Sequence, residues 1–200
     1  MKNLFVLVAV LILATMSAMA QTSPYLIDYF SNNPGPGGAA DQQIRLVNFG
    51  AAGNPLTSPI GDVCANIYVF DANQELVACC SCRITPNGLL TLSIANGLTN
   101  NPVTSVVPVN GDVKIVSTAA IGSTSCTPLT LNNGLLDSTV GFGTHLQVSG
   151  GSAGGTFLTE TPLANASAAV ITNGTEGPFL VQACQFARYL GSGKGVCSCR

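Results

Sequence analysis

Cysteine is the residue type in this chain with the greatest capacity for chemistry, and the chain contains eight of them. Bound to one another they would form disulfides, bound to a cation they would form a metal site, and as reactive thiols they would exchange electrons. An even number of cysteines is typical of a disulfide-bonded exported protein. We therefore predict that all eight form disulfides: Cys64, Cys79, Cys80, Cys82, Cys126, Cys184, Cys197 and Cys199.

The two other uses of the cysteines remain as alternatives. Structural zinc sites usually place two residues between paired ligands, whereas the groups CCSC at 79–82 and CSC at 197–199 leave one or none. A redox centre needs a nearby cation or helix start to lower the pKa of a thiol, and Arg83 and Arg200 adjoin the two groups. We predict neither a metal site nor a cofactor.

The remaining reactive residues do not form a recognisable catalytic set. His145 is the only histidine and lies in a predicted strand, where it would face solvent or a hydrogen-bond partner. The sequence contains no Gly-x-Ser-x-Gly elbow to supply a nucleophile, and most of its carboxylates fall in predicted turns. We therefore predict that the protein is not an enzyme and has no catalytic residues.

The first 20 residues resemble a secretory signal peptide. Lys2 precedes an apolar run, and Ala18-Met19-Ala20 matches the small-x-small pattern of a cleavage site. We expect cleavage near Ala20, secretion or display at the cell surface, and no membrane span after cleavage. Because only 8 % of the residues are charged and the formal net charge is −2, we expect no nucleic-acid partner.

The segment 62–95 predicts a three-stranded meander with strands at 63–70, 76–85 and 89–95. In the first strand, alternation places Ala65 and Ile67 on one face and Tyr68 on the other, and both faces are apolar. If Phe70 lies opposite Leu76, Cys64 faces Cys82, and a shift of two residues brings it opposite Cys80 instead. Cys79 and Cys80 are adjacent, so we expect them to form bonds in different directions.

The rest of the chain predicts further short strands and one helix. Strands are expected at 106–109 and 113–119 around a turn at 110–112, then at 144–149 and 156–161 around a glycine-rich loop, and at 168–172. Polar residues recurring every three positions predict a helix over 178–190 capped by Gly191, with a final strand as the alternative. We expect Cys197 or Cys199 to bond Cys184.

These elements predict a mainly β fold, a disulfide-bonded β-sandwich of immunoglobulin-like or pilin-like type with a short C-terminal helix. The expected organisation is a signal peptide at 1–20, an N-terminal arm and Pro/Gly linker at 21–40, and a single sandwich domain at 41–200. The arm is rich in apolar residues: Tyr25, Leu26, Ile27, Tyr29 and Phe30. It would form either the first strand of its own domain or a strand donated to a neighbouring subunit, which builds a fibre.

The strings DVCANIYVFD at 62–71 and ACCSC at 78–82, with the Cys184 helix and the Cys-x-Cys tail, resemble a group of exported bacterial cysteine-containing proteins. That resemblance implies no activity. At the level of architecture alone, the arm and sandwich are similar to pilus subunits.

The prediction for function is a non-catalytic secreted or cell-surface structural or adhesive protein, in its sharpest form a self-assembling subunit of an extracellular filament. Its expected partners are other copies of itself or cell-surface components. The alternative is a β-sandwich that binds a small ligand or carbohydrate. The absence of tryptophan and the presence of only four tyrosines disfavour a carbohydrate platform.

Overall fold

Nine strands, two α-helices and one π-helical turn make up the described part of the chain. The computed structural model describes residues 22–32, 41–50, 61–120, 126–131, 134–148 and 156–199. The predicted signal peptide at 1–20, most of the Pro/Gly linker and the loop at 150–155 lie outside them. The division into arm and domain therefore remains a prediction. Within the described residues, no helix combines the length and hydropathy needed to cross a bilayer.

The strands form two antiparallel sheets that pack face to face, which confirms the predicted β-sandwich. The first sheet has the order β4-β3-β6-β1-β9. Its strands are β1 (Tyr25–Ser31), β3 (Val63–Asp71), β4 (Leu76–Ile84), β6 (Asn110–Ala119) and β9 (Ala164–Asn165). The second sheet has the order β5-β2-β7-β8. Its strands are β2 (Gln43–Asn48), β5 (Leu89–Ser93), β7 (Thr139–Val148) and β8 (Thr156–Pro162).

Strand β3 shows why the first sheet is buried on both faces. Its residues Ala65 and Ile67 enter the core between the two sheets, where Leu46 and Leu92 of the second sheet also lie. Tyr68 belongs to a second cluster on the outer face of the first sheet. That cluster is covered by α1 (Ala168–Thr172) and α2 (Glu176–Leu190). The predicted two-faced burial is thus confirmed.

The hairpin between β3 and β4 contains a bulge that changes the predicted cysteine register. Phe70 lies opposite Leu76 as expected, but Val69 then lies opposite Ala78, so Val77 is an extra residue. Beyond this bulge every pairing is shifted by one residue, and Cys64 lies opposite Arg83. The expectation that Cys64 faces Cys82 or Cys80 is therefore wrong.

Three further predictions are corrected, and one is confirmed. Residues 106–109 are not a strand, and the expected turn at 110–112 is the extended start of β6, because Ser31 of β1 pairs with Asn110. Residues 168–172 form the helix α1, since the Ser167 side chain accepts a hydrogen bond from the Ala169 N–H and caps it. The expected helix at 178–190 is present as α2 and ends at Gly191.

Smaller differences occur around the second sheet. Strand β5 ends at Ser93, and a π-helical turn (Ile94–Leu98) follows it. Strand β7 begins at Thr139, five residues before the expected start of the strand at 144–149. The expected hairpin of β7 and β8 is confirmed by their antiparallel pairing from Phe142 to Val148.

Candidate functional site

Four disulfides include all eight cysteines, each of which lies in the described part of the chain, and no cysteine is free. The disulfide prediction is thus confirmed. The pairs are Cys64–Cys126, Cys79–Cys184, Cys80–Cys197 and Cys82–Cys199.

Strand β4 alone carries three of these disulfides. Cys79 faces outward and bonds Cys184 of α2, whereas its neighbour Cys80 bonds Cys197 of the C-terminal tail. The expectation that these neighbours bond in different directions is confirmed. The expected bond from the tail to Cys184 is wrong, because α2 covers the outer face of the sheet and its cysteine meets Cys79 there.

The C-terminal tail covers the free edge of β4. The Cys79 N–H donates to the Gly195 carbonyl at 2.9 Å, and the Cys197 N–H donates to the Cys79 carbonyl at 3.4 Å. Two residues earlier on the same edge, the Val103 N–H donates to the Val77 carbonyl at 2.8 Å. Two disulfides therefore fasten a strand-like tail to an edge that would otherwise be open to another chain.

The tail disulfides lie beside each other. The sulfur atoms of Cys80, Cys82 and Cys199 all lie within 4.8 Å of one another. They could bind a cation only as thiolates, which would require reduction of both tail disulfides. Arg83, suggested by the sequence as an activating cation, forms an ion pair with the buried carboxylate of Asp62 instead. Arg200 lies outside the described residues.

The opposite edge of the first sheet is covered differently. Strand β1 pairs with β9 only at Leu26 and Ile27. Further along β1, the Asp28 carboxylate accepts a hydrogen bond from the Tyr29 N–H at 3.0 Å. The side-chain carbonyl of Gln42 accepts one from the Ser31 N–H at 3.1 Å. Side chains thus occupy backbone donors that an added strand would need.

The predicted assembly arm lies within its own sheet. Tyr25, Leu26 and Phe30 are buried to 2 % exposure or less, whereas Tyr29 is exposed. The Tyr25 hydroxyl donates to Glu176 at the start of α2 at 3.1 Å. This is the first of the two placements considered for the arm. It ties the beginning of the described chain to the C-terminal helix.

Asp28 also contacts the single histidine across the two sheets. The Asp28 Oδ1 lies 3.5 Å from the His145 Nε2, and the Tyr29 ring stacks on the imidazole with centroids 4.5 Å apart. Both side chains of the pair are largely buried, at 10 % and 7 % exposure for Asp28 and His145. Gly143 makes this close approach possible, since a Cβ there would lie 1.9 Å from the Asp28 Oδ2.

Burial changes the protonation of Asp28. Loss of solvent raises the pKa of Asp28 from 3.8 to about 6, while His145 and the Tyr29 N–H lower it in part. Among the described residues, no serine, threonine or cysteine hydrogen-bonds to the imidazole, and its Nδ1 has no partner. Within the described residues, the pair therefore resembles the aspartate and histidine of a hydrolytic triad that lacks its nucleophile. Neither sequence pattern nor spacing predicts it, because the two residues lie in different sheets.

The second sheet differs from the first in its edges. Its edge strands β5 and β8 each pair with one strand, and no other described backbone segment pairs with their outer sides. Leu89 of β5 is 62 % exposed and Leu158 of β8 is 51 % exposed. Strand β5 has no charged residue, and the only charge in β8, Glu160, forms a 2.8 Å ion pair with Arg45 of β2. Both edge strands therefore carry apolar and uncharged polar side chains, and neither carries an unpaired charge.

A groove lies on the other side of the molecule, between α2 and the segment around residue 130. Its volume is about 690 Å³. Its described lining contains five leucine, isoleucine and valine residues, the polar side chains of Thr130, Thr172, Gln182 and Gln185, and no charged residue. Such a groove would suit a neutral ligand with apolar and hydroxyl groups.

Comparison with known proteins does not identify a relative. No family model and no curated protein matches the chain. Among solved structures, the chain is similar to the Anabaena sensory rhodopsin transducer, with a TM-score of 0.32 and 12 % sequence identity. The match covers 47 % of this chain and 88 % of that one. A likeness this distant carries no argument about function.

Proposed function

We propose that the protein is an exported, non-catalytic structural protein that assembles with copies of itself through the edges of its four-stranded sheet. The observation that carries the proposal is the contrast between the two sheets. Both edges of the five-stranded sheet are covered, one by the disulfide-fastened tail and one by β9 and capping side chains. The edges of the four-stranded sheet, β5 and β8, have no such cover in the described part of the chain.

Uncharged open edges favour strand addition. Proteins that remain monomeric usually protect such edges with lysine, proline or a covering segment. Strand β5 has none of these, and in β8 only the terminal Pro162 is of this kind. The outer backbone N–H and carbonyl groups of both strands pair with no other described segment and are thus open to pairing with another chain.

The positions of these strands determine the form of the assembly. Strands β5 and β8 lie at opposite ends of one sheet, so β5 of one copy can pair with β8 of the next. This contact joins two different surfaces, so its repetition builds a filament wherever the rotation between copies does not close a ring, and the open form is the one proposed. Donation of the arm would gain no burial over the monomer, because Tyr25, Leu26 and Phe30 are already buried in their own sandwich. Their exposure during the exchange would cost about 1.5–3 kcal/mol for each large apolar side chain, which slows the exchange.

Export and the extracellular setting are part of the same proposal. Four disulfides persist in an oxidising compartment, which supports release from the cytosol or display at the surface. They also stabilise a subunit exposed to proteases and dilute conditions. Cleavage near Ala20 would be confirmed by N-terminal sequencing of protein recovered from the culture medium or cell surface.

Light scattering after gel filtration of the purified disulfide-bonded protein tests the assembly. We expect the molar mass to increase with protein concentration, and Leu89→Lys to reduce it to that of a monomer, because a lysine on an edge strand opposes pairing. The matched control is Leu190→Lys, which adds the same charge at an exposed position of α2 away from the sheets. A monomer at every concentration, or equal effects of the two variants, would contradict the proposal.

Binding of a small ligand is the second candidate function, and the uncharged groove beside α2 favours it. Calorimetric titration with a panel of neutral oligosaccharides and neutral amphiphiles would test this role. A genuine site predicts binding that weakens when Gln182 and Gln185 are both replaced by alanine, because those amides are polar groups in the groove lining that can recognise hydroxyls. Binding unaffected by both replacements would exclude the groove as the ligand site.

A further inference from the structure

The tail disulfides differ in their access to solvent. Cys199 is exposed, whereas its partner Cys82 and both members of the Cys80–Cys197 disulfide are buried. An incoming thiolate can therefore reach the Cys199 sulfur far more easily than the sulfur of Cys80 or Cys197. Both cysteines of the Cys79–Cys184 disulfide are buried, where α2 packs on β4. In the Cys64–Cys126 disulfide, Cys64 is buried and Cys126 is partly exposed.

The buried tail disulfide lies within reach of the accessible one. The Cys80 sulfur is within 4.8 Å of both the Cys82 and the Cys199 sulfur. Cys80 and Cys82 lie two positions apart in β4 and therefore share a face of the strand. At about 3.3 Å per residue their Cα atoms are about 6.6 Å apart, inside the span of roughly 4.4–6.8 Å that a disulfide bridges. Their Cβ atoms are about as far apart, whereas a disulfide needs roughly 3.5–4.5 Å, so β4 must bend locally for the two cysteines to bond.

From this arrangement we propose that the Cys82–Cys199 disulfide is a thiol-exchange site for dithiols and that its reduction releases the whole C-terminal tail. In the first step a dithiol thiolate attacks the Cys199 sulfur, and Cys82 leaves as a thiolate. The second thiol of the reagent then displaces Cys199 as a thiol, and the reagent becomes a disulfide.

The second step takes place within the protein. The Cys82 thiolate attacks the Cys80 sulfur, a Cys80–Cys82 disulfide forms, and Cys197 leaves as a thiolate that takes up a proton. The two electrons supplied by the dithiol thus end in the thiols of Cys197 and Cys199. The new disulfide closes a three-residue segment and no longer restrains the tail, so the tail regains conformational freedom.

Release of the tail has a structural consequence at the edge of the first sheet. The backbone groups of Cys79, now bonded to Gly195 and Cys197, become available to another strand. The released tail carries an accessible Cys-x-Cys dithiol that can reduce a further disulfide or become reoxidised. The exchange does not depend on the proposed assembly through the second sheet, so each can fail without the other.

Limited reduction tests the exchange directly. The purified oxidised protein is treated with one equivalent of dithiothreitol at pH 8, labelled with N-ethylmaleimide and mapped by mass spectrometry without further reduction. We expect the label on Cys197 and Cys199 and a cross-link between Cys80 and Cys82. Label chiefly on Cys82 and Cys199 would overturn the transfer step. Label chiefly on Cys64 and Cys126 would overturn the entry site.

Two variants separate the transfer step from simple accessibility. In Cys199→Ser the Cys82 thiol is free without any reductant, and we expect the label chiefly on Cys197. Label chiefly on Cys82 contradicts transfer. In the double variant Cys82→Ser/Cys199→Ser, the Cys80–Cys197 disulfide has no internal attacking thiol, and its reduction should be slower by at least about tenfold than in the parent. An unchanged rate would also contradict the proposal, and circular dichroism matching the parent would show that the variant is folded.

Discussion

The aspartate–histidine contact between the sheets predicts an unusual dependence of stability on pH. Burial raises the pKa of Asp28 from 3.8 to about 6 in the folded protein. Between these two values the unfolded chain has already lost the proton that the folded chain still holds. Folding is therefore opposed increasingly as the pH rises from about 4 to about 6, and the penalty remains at higher pH.

The size of this penalty follows from the same pKa difference. A rise from 3.8 to about 6 corresponds to at most about 3 kcal/mol. The site lies at the rim of the sandwich, beside the exposed Tyr29, and solvent screening reduces the expected value to roughly 1–2 kcal/mol. Within the described residues, His145 is the charged or titratable group facing Asp28 from β7, while Lys114 of β6 pairs with Glu176 on the outer face.

The variant Asp28→Asn isolates the charge. Asparagine keeps a side-chain oxygen that can accept the Tyr29 N–H, but it cannot ionise. We expect the variant to be more stable than the parent by about 1–2 kcal/mol at pH 8 and about equal in stability at pH 4. Urea unfolding at both pH values, followed by circular dichroism with the disulfides intact, measures the difference.

The opposite order would refute this reasoning. If Asp28→Asn were less stable than the parent at pH 8 and equal to it at pH 4, the ionised carboxylate would be stabilising and its contact with His145 would outweigh its burial. Asp62→Asn is a control for general effects of removing an acidic group, since Asp62 pairs with Arg83 at a different edge of the sandwich. We expect its stability difference from the parent to lack the gain at pH 8.

Three further predictions concern stability. Gly143→Ala should destabilise the protein by about 1–3 kcal/mol, because its Cβ would overlap the Asp28 carboxylate, and most of that loss should disappear in an Asp28→Ala background in a double-mutant cycle of urea unfolding. Deletion of residues 22–31 should abolish cooperative thermal unfolding, because β1 contributes buried core residues; a truncated protein that remains folded would instead favour donation of the arm. The double replacement Cys79→Ser/Cys184→Ser should lower the free energy of unfolding by about 3 kcal/mol, since with Cys80–Cys197 intact this disulfide closes a loop of only about 15 residues, and a loss below about 1 kcal/mol would contradict the chain-entropy account.

The sequence predicts those parts of the fold that depend on local pattern. The alternation in β3 assigns both of its faces correctly, and the three-residue spacing of polar residues predicts α2 through Gly191. The five residues of α1 are too few to distinguish helix from strand by periodicity, and the cap from Ser167 decides between them. Local pattern therefore suffices for long elements and fails for the shortest one.

Contacts between residues that are distant in the chain are harder to predict from the sequence. The bulge at Val77 shifts the β3–β4 register by one residue, and Val77 is held by Val103 from a distant loop. The cysteine connectivity depends on that register and on the path of the tail. The contact between Asp28 and His145 depends on how two sheets stack, which neither strand encodes alone. The sequence thus predicts that the eight cysteines form four disulfides, but it does not predict which cysteines pair.

Electron microscopy of a charge-paired variant tests the proposed assembly most directly. Leu89→Lys and Leu158→Glu each place one charge on a different edge of the second sheet, so each alone should abolish filaments. In the double variant the lysine edge of one copy meets the glutamate edge of the next, and opposite charges on adjacent strands attract. The account predicts filaments from the parent and the double variant and separate particles from each single variant. Separate particles from the parent, or no recovery of filaments in the double variant, would contradict assembly through β5 and β8.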